Sequence, residues 1–317
     1  MAKLLTIHIA NTVYMLYDMT ASIVAYKNDS EKIRTVLNSV LGTRYTIKLF
    51  LIDNSPTNRL ETELKKELED RRVVYLHNSE NVGFGQGHNI AIRNAIFASS
   101  YHIVLNPDLK FSPAVVDNLF EFMEANPAVG QALPKVYYEN GSLQKLCKLL
   151  PGPIDLFGRR FFRSFKWAAE KNKQYEIDGF NYDNCINLPN LSGCFMFLRS
   201  NCLAKTGGFD KRFFMYLEDV DLTRRIHKIA QTIFYPFVSI THECQRGSYN
   251  NKKLLLYHIM SAIKYFCKWG WIIDKDRQAF NNSVTRSVKT GSYANFNMKP
   301  GVAQDQSKRT DPHLLPA

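Results

Sequence analysis

The chain has 317 residues, 45% hydrophobic and 13% aromatic, enough for one large domain or one domain plus an appendage, and no run of roughly 18 uninterrupted apolar residues, which predicts no membrane-spanning helix. Its net charge is +12, with the excess concentrated in residues 157–175 and 246–317, and such local basic patches mixed with aromatics point to an anionic surface partner, phospholipid or nucleic acid. The six cysteines (147, 185, 194, 202, 244, 267) form no C-x-x-C pair and no zinc spacing, so they read as reduced thiols of a cytosolic protein.

Residues 1–19 read as an N-terminal extension with Lys3 as its one Lys or Arg; no signal peptide is expected, and Met15 or Met19 is an alternative start. Ser22–Tyr26 reads as a buried first strand. The turn Lys27-Asn28-Asp29 follows, then a helix capped by Asp29 or Ser30 with apolar positions at Ile33, Val36, Leu37 and Val40. Lys48–Ile52 is a second strand, Leu60–Leu68 a charged amphipathic helix, Val73–Leu76 a third strand, Asn89–Ala98 a helix and Tyr101–Leu105 a fourth strand. Ser112-Pro113 opens a helix that runs to about Ala125, Ser as cap and Pro at the first helical position. This alternation predicts an α/β fold with a mostly parallel central sheet flanked by helices.

Residues 139–185, rich in Gly, Pro, Lys and aromatics, read as a loop-rich insertion within a domain spanning 20–245. Cys194–Leu198 is a buried strand and Val220–Ile229 a helix. Residues 246–280 read as a basic amphipathic helical segment, and 281–317 as a flexible polar tail with few large apolar groups.

Several apolar runs stop at polar or acidic positions: Leu49–Ile52 at Asp53, Ile103–Leu105 at Asn106-Pro107-Asp108, and Val238–Thr241 at His242. The C-terminal edge of an open α/β sheet is where ligands bind. Asp108 fits a divalent-ion ligand, because Mg²⁺ or Mn²⁺ takes one or two carboxylates plus substrate phosphates; it equally fits a plain turn. His242 fits a metal or diphosphate contact, or a structural histidine. The glycines of Asn81-Val82-Gly83-Phe84-Gly85-Gln86-Gly87-His88-Asn89 would let backbone approach an anion at a helix start, or form a plain connection. Glu218, Asp219 and Asp221 sit in an aromatic run, where a carboxylate can take a proton from a sugar hydroxyl, or at a helix start as dipole partners.

Taken in order, Ser22–Tyr26, Ile52-Asp53-Asn54-Ser55, Asn81–Asn89, Leu105–Asp108, Ser192-Gly193-Cys194-Phe195-Met196 and Gly207–Leu222 resemble glycosyltransferase family 2, inverting enzymes of the GT-A nucleotide-sugar-binding fold. The resemblance covers roughly 20–275 and is strongest to the bacterial rhamnosyltransferase branch, which Thr241-His242-Glu243 through Lys268-Trp269-Gly270 also resembles. It implies that Tyr26 and Asp53 hold the donor base and ribose, that Asn81, Gly83, Asn89 and Asn106 shape the nucleotide site, and that Asp108 and His242 serve the metal and diphosphate. Asp108 matches the last Asp of the family's D-x-D motif, with Asn106 in place of the first. Asp219, beside Glu218, matches the presumed general base. The implied reaction moves a sugar, L-rhamnose from dTDP-rhamnose or another sugar from a UDP or GDP donor, to a saccharide or polyprenyl-diphosphate-linked acceptor in cell-surface polysaccharide (O-antigen) synthesis.

At about 100° per residue, Lys253, Lys264, Lys268 and Lys275 share one helical sector, which predicts a basic stripe facing an anionic membrane from the inner, cytoplasmic side. A nucleic-acid-binding module explains the charge but not the acids at strand ends, so no nucleic-acid partner is expected. A sugar nucleotidyltransferase would carry a Gly-rich loop after the first strand, where this chain has Tyr26-Lys27-Asn28-Asp29. A non-catalytic scaffold of the same fold has Asn106 as its support.

Overall fold

The computed structural model describes residues 8–9, 12–13, 16–95, 97–158, 165–243, 251–293 and 295–297. Arg159, Arg160, Arg163, Cys244, most of the first fifteen residues and the tail beyond 297 lie outside the described residues.

A two-stranded ladder, β1 (His8–Ile9) and β2 (Thr12–Val13), precedes a nine-stranded sheet. The first half of that sheet comprises β3 (Tyr17–Ala25), β4 (Ile47–Asp53), β5 (Val73–His77) and β6 (Ser99–Leu105). It is wholly parallel, in the order β5-β4-β3-β6. Strands covered on both faces need near-continuous apolar runs, and Ala21, Ile23, Leu49, Leu51, Ile103 and Leu105 are all fully buried. Helix α1 (Ser30–Leu41) starts where the Asp29 carboxylate accepts from Glu31 N, and it buries Ile33, Val36, Leu37 and Val40 against the sheet. The charged helix expected over 60–68 is two short ones, α2 (Arg59–Glu63) and α3 (Lys65–Leu68). Helix α4 (Phe84–Ala95) packs across β3. The chain leaves β3 for β4 on one side and reaches β6 on the other, so the loops after β3 and β6 diverge and open a crevice.

The second half adds β7 (Leu109–Lys110), β8 (Val129–Tyr137), β9 (Ile186–Asn187), β10 (Phe195–Arg199) and β11 (Gln231–His242). Helix α5 (Ala114–Ala125) leads into β8. The order continues β6-β10-β8-β11-β7, with β9 on β11. Strand β10 is antiparallel to both β6 and β8, and β11 is parallel to β8. This brings the start of β10 and the end of β11 to the same edge as the end of β6. Strand β8 and the first part of β11 carry no clean sequence signal. Gly130, Gln131 and Pro134 interrupt one, Pro236 the other, and the β8–β11 register shifts between Tyr235 and Ser239. Proline removes a ladder N–H and is accommodated at such irregularities.

The loop-rich insertion 139–185 contributes to the core. It holds a π-helical turn (Ile154–Gly158) and α6 (Lys166–Tyr175). Its Cys147, Leu149, Tyr175, Ile177, Phe180 and Tyr182 are buried in the main cluster. Helices α7 (Ser200–Thr206), α8 (Glu218–His227), α9 (Lys252–Trp269) and α10 (Lys275–Thr290) complete the described elements.

Two expectations are corrected here. The flexible tail does not begin at 281. Asp274 caps α10 by accepting from Arg277 N, Val284 is buried, and Val288, Tyr293 and Phe296 pack on the main core. Asn297 and Asn126 then exchange two hydrogen bonds of 3.0 and 3.1 Å. A narrow apolar stripe suffices because α10 is also tied down by a buried ion pair, Arg224 of α8 with Asp274, under Trp269 whose ring centre is 4.0 Å from the guanidinium carbon. Removing one partner of such a pair typically costs about 3–5 kcal/mol.

The basic stripe is the second correction. Lys264 donates to Arg212 O, Lys268 sits 2.7 and 2.6 Å from the Asp210 and Asp221 carboxylates, and Lys275 belongs to α10. The outward face of α9 is instead apolar: Leu256, Met260 and Ile263 are 54%, 44% and 43% exposed. The exposed turn Trp271-Ile272-Ile273 follows it. No helix among the described residues is long and apolar enough to cross a membrane.

Candidate active site

The crevice begins at the ends of β3 and β4. Tyr26 is 45% exposed just past β3, and Lys27 adopts φ +57° with its N–H donating to Ser55 Oγ. Beside them a cavity of about 340 Å³ is lined by Lys27, Ser55, Pro56, Thr57, Arg59 and Leu60. Asp53 is fully buried. Its Oδ1 accepts from Ser55 N and its Oδ2 from Tyr75 Oη, at 2.9 Å each. Its carboxylate holds the Ser55 loop and, at 0% exposure, presents no surface to a ribose in this conformation.

The glycine-bearing loop 81–89 is likewise built inward. Asn81 Oδ1 accepts from Gly83 N, and Gly83 takes φ +83°, a conformation that disfavours any side chain. Helix α4 starts at Phe84, so Gly85 and Gly87 lie in its first turn. A Cβ on Gly87 would come within 2.7 Å of Val24, so that glycine allows α4 to press on β3 rather than on a ligand. Asn89 is buried and clamps Phe209, accepting from its N at 2.9 Å and donating to its O at 2.8 Å. Gly83 and Asn89 thus act on protein neighbours, while Tyr26 stays open to solvent.

The ends of β6 and β11 meet differently. His242 pairs with Leu109 across the β11–β7 ladder, which sets its ring beside the preceding turn. Its Nε2 lies 3.2 Å from Asn106 Nδ2 and 3.4 Å from Asp108 Oδ1. That Asp108 oxygen is buried and has no hydrogen-bond partner. An orphaned carboxylate oxygen facing an imidazole nitrogen fits a divalent cation, whose charge would satisfy both. Among the described residues no cluster of three or more His, Cys, Asp or Glu exists, so further ligands would have to come from substrate phosphates and water.

Strand β10 brings the third part. Asn106 N donates to Cys194 O, and the neighbouring Gly193 N donates to Asp219 Oδ2 at 2.8 Å. A Cβ on Gly193 would come within 2.8 Å of Asp219 Cβ, so glycine is what lets the carboxylate approach. Asp219 Oδ1 accepts from Val220 N. Burial raises the Asp219 pKa against the opposing pull of the Gly193 and Val220 N–H groups. Glu218 is more deeply buried, has an unpartnered Oε2, and its pKa is pushed well above the usual range by burial and then by the Asp219 charge. Just ahead of α8, Tyr216 and Leu217 both have positive φ, 70° and 65°. Such conformations cost about 1–3 kcal/mol each and persist where surrounding structure enforces them. Asp221 is separate: fully buried, it is engaged by Arg225, Lys268 and Trp269 Nε1 and anchors α8 to α9.

The structure therefore joins Asn106, Asp108, His242, Gly193 and Asp219 through direct contacts, and sets Tyr26 at the adjoining strand end. Sequence reasoning gave Gly193 no role, because its closeness to Asp219 depends on the antiparallel placement of β10.

A family model described as glycosyl transferase family 2 matches residues 22–203. The N-acetylglucosaminyl-diphospho-decaprenol L-rhamnosyltransferase of Mycobacterium tuberculosis is 24% identical over 234 residues, covering 69% of this chain and 74% of that protein. The rhamnosyltransferase WbbL of Escherichia coli is 24% identical over 196 residues, covering 59% and 70%. Among solved structures, GalNAc-T7 with UDP, GalNAc and Mn²⁺ superposes with a TM-score of 0.57 at 14% identity, over 88% of this chain and 59% of that one. The mannosyltransferase PcManGT from Pyrobaculum calidifontis, in complex with GDP-Man and Mn²⁺, gives 0.52 at 13% identity, over 88% and 76%. These likenesses establish a GT-A-like fold.

Proposed function

The chain belongs to glycosyltransferase family 2 and is a glycosyltransferase, and from that premise we propose that it transfers L-rhamnose, with inversion, from dTDP-rhamnose to a lipid-diphosphate-linked saccharide. The observation that carries the transfer chemistry is the contact chain from Asp219 through Gly193, Cys194 and Asn106 to the His242–Asp108 pair. Rhamnose rests on the names of the two relatives at 24% identity, and the lipid-linked acceptor on the name of the mycobacterial one.

In this reading Tyr26 packs against the donor base beside the Lys27–Arg59 cavity. Asp108 and His242 would hold a divalent ion, which when bound would lend positive charge to the diphosphate leaving group. Asp219 takes the proton from an acceptor hydroxyl, whose oxygen attacks the anomeric carbon opposite the departing diphosphate. Its raised proton affinity suits that task, and the two N–H groups on its oxygens fix its orientation. Glu218, buried beneath, supports Asp219 and α8 without access to the acceptor.

Peripheral attachment to the inner face of the cytoplasmic membrane rests on the exposed Leu256–Ile263 face and the Trp271–Ile273 turn, with Lys252 and Lys253 exposed at the start of α9. Vesicle co-sedimentation of wild type against the double change Ile272→Asp, Ile273→Asp tests it; equal partitioning of the two proteins rejects it.

The donor site is tested by calorimetric binding of dTDP, UDP and GDP, each with and without Mn²⁺, to wild type and Asp108→Ala. Metal-dependent binding of dTDP, lost in the variant, is the expected result. Preference for UDP or GDP would replace rhamnose as donor sugar, and no binding of any nucleotide would reject the site.

A further inference from the structure

We propose that Gln144 is a positioning residue that fixes the tautomer of His242 and so keeps the Nε2 lone pair facing Asp108; this rests on reading Asp108 and His242 as the metal and diphosphate site. Gln144 comes from the stretch expected to be a loop-rich insertion, and nothing in the motif pattern singles it out. Its position follows from a tight turn. Asn140 Oδ1 accepts from Ser142 N and Oγ, Gly141 takes φ +79°, and Tyr138 N donates to Ser142 O at 2.8 Å. The chain folds back so that Gln144 N donates to Val136 O. In the parallel ladder Thr241 of β11 sits opposite Tyr137 of β8, so the returning chain passes beside His242.

The Gln144 side chain is 1% exposed and bonds His242 twice. Its amide nitrogen donates to His242 O at 2.7 Å, and its amide oxygen lies 3.3 Å from His242 Nδ1. The assignment is forced. A backbone carbonyl can only accept, so the NH₂ group must face it and the amide oxygen must face the ring. An amide oxygen can only accept, so Nδ1 carries the hydrogen. In the neutral ring Nε2 is then bare. Asn106 Nδ2, at 3.2 Å, supplies a donor to that lone pair. The remaining neighbour of Nε2 is the unpartnered oxygen of Asp108, 3.4 Å away. In the free protein the Asn106 amide occupies that lone pair and only the Asp108 oxygen lacks a donor; a cation between Nε2 and Oδ1 would displace the amide and satisfy both acceptors. With the hydrogen on Nε2 instead, the ring would donate to Asp108 and close the site.

The test uses full-length protein, Gln144→Met and Gln144→Glu. Gln144→Met keeps the volume and loses both bonds; Gln144→Glu keeps an acceptor for Nδ1–H. Nitrogen-15 spectra of labelled histidine, with the His242 signals assigned through His242→Ala, read the tautomer directly. Wild type and Gln144→Glu are expected as Nδ1–H, and Gln144→Met as a mixture containing Nε2–H. Mn²⁺ affinity in the presence of dTDP, read by the electron paramagnetic resonance of free Mn²⁺, is expected to fall about 10–100-fold in Gln144→Met. No further loss is expected when Gln144→Met is added to His242→Ala. An unchanged tautomer in Gln144→Met, or equal losses in Gln144→Met and Gln144→Glu, would overturn the proposal. If wild type binds no Mn²⁺ with any nucleotide, the metal reading fails, while the tautomer in Gln144→Met still decides the role of Gln144.

Discussion

Asp53, at the end of β4, is fully buried and has a donor on each oxygen, Ser55 N and Tyr75 Oη, whereas Asp108, just past β6, keeps a buried oxygen with no donor. Both follow the same kind of apolar strand. The difference lies in their neighbours. Strand β5 lies parallel to β4, with Tyr75 opposite Leu51, so a tyrosine from the next strand reaches back to Asp53. On the far side of the strand-order reversal, β6 meets antiparallel β10, where Cys194 O accepts from Asn106 N and Gly193 N donates to Asp219, so neither contact supplies a donor to Asp108. A strand-end carboxylate in the sequence thus marks an edge of the sheet, and the number of internal donors decides whether it supports a loop or faces substrate.

The largest effect that would sharpen this contrast is at Asp219. Asp219→Asn keeps the shape and the bond from Gly193 N, turns its NH₂ group toward Val220 N–H, and cannot take a proton. Loss of a general base typically lowers rate by about 10²–10⁴-fold. Single-turnover sugar transfer should fall by that factor, while calorimetric donor affinity stays within about twofold on the same ground of unchanged shape. Lost donor binding would make Asp219 a structural carboxylate like Asp53 and erase the contrast.

Asp53→Asn is expected to do the reverse. The new NH₂ group must face one of two donors, Ser55 N–H or Tyr75 O–H, and a buried polar mismatch costs about 1–3 kcal/mol. Urea unfolding should register that loss, with transfer by the folded fraction nearly unchanged. Abolished transfer at unaltered stability would mean that Asp53 touches the donor after all.

The two halves also differ in how readily the sequence reveals them. The parallel half announces itself through runs such as Ala21–Ala25 and Leu49–Ile52, because strands buried on both faces have no polar alternation to obscure them. The second half does not. Pro134 and Pro236 sit inside strands, and α10 buries little beyond Val284 while relying on Asp274 both as cap and as the partner of Arg224. Site residues divide along the same line. Asp108, Asp219 and His242 stand out by type and by resemblance. Gly193 and Gln144 matter through contacts that depend on strand register and a chain reversal, which no local pattern contains. The basic stripe misled because helical spacing gives a sector but not its partner, and Asp210 and Asp221 lie on the side that Lys268 faces.

Acid distinguishes the halves by sign. In the parallel half Ser22, His88, His102, Thr20 and Ser99 form a buried hydrogen-bonded chain with no carboxylate in it. Burial lowers both histidine pKa values, that of His102 to about 3. The unfolded chain therefore binds more protons below about 6.5, and the stability these groups contribute is full above that pH and lost as pH falls toward about 3. Glu218 acts oppositely. Its folded pKa lies well above 4.5, so the folded chain binds the extra proton and gains stability as pH falls through that raised value toward 4.5. The two contributions offset each other in mild acid. Glu218→Gln removes only the second, so its stability should drop more steeply than wild type on acidification within the shared window, by at most about 1.4 kcal/mol per pH unit. Urea unfolding of both proteins at several pH values between about 4.5 and 6.5, where the histidine and Glu218 windows overlap, reads the difference. Parallel curves would mean that Glu218 is ionised in the folded protein, and that the acidic pair at the start of α8 is solvated more like a surface helix start than like a buried site.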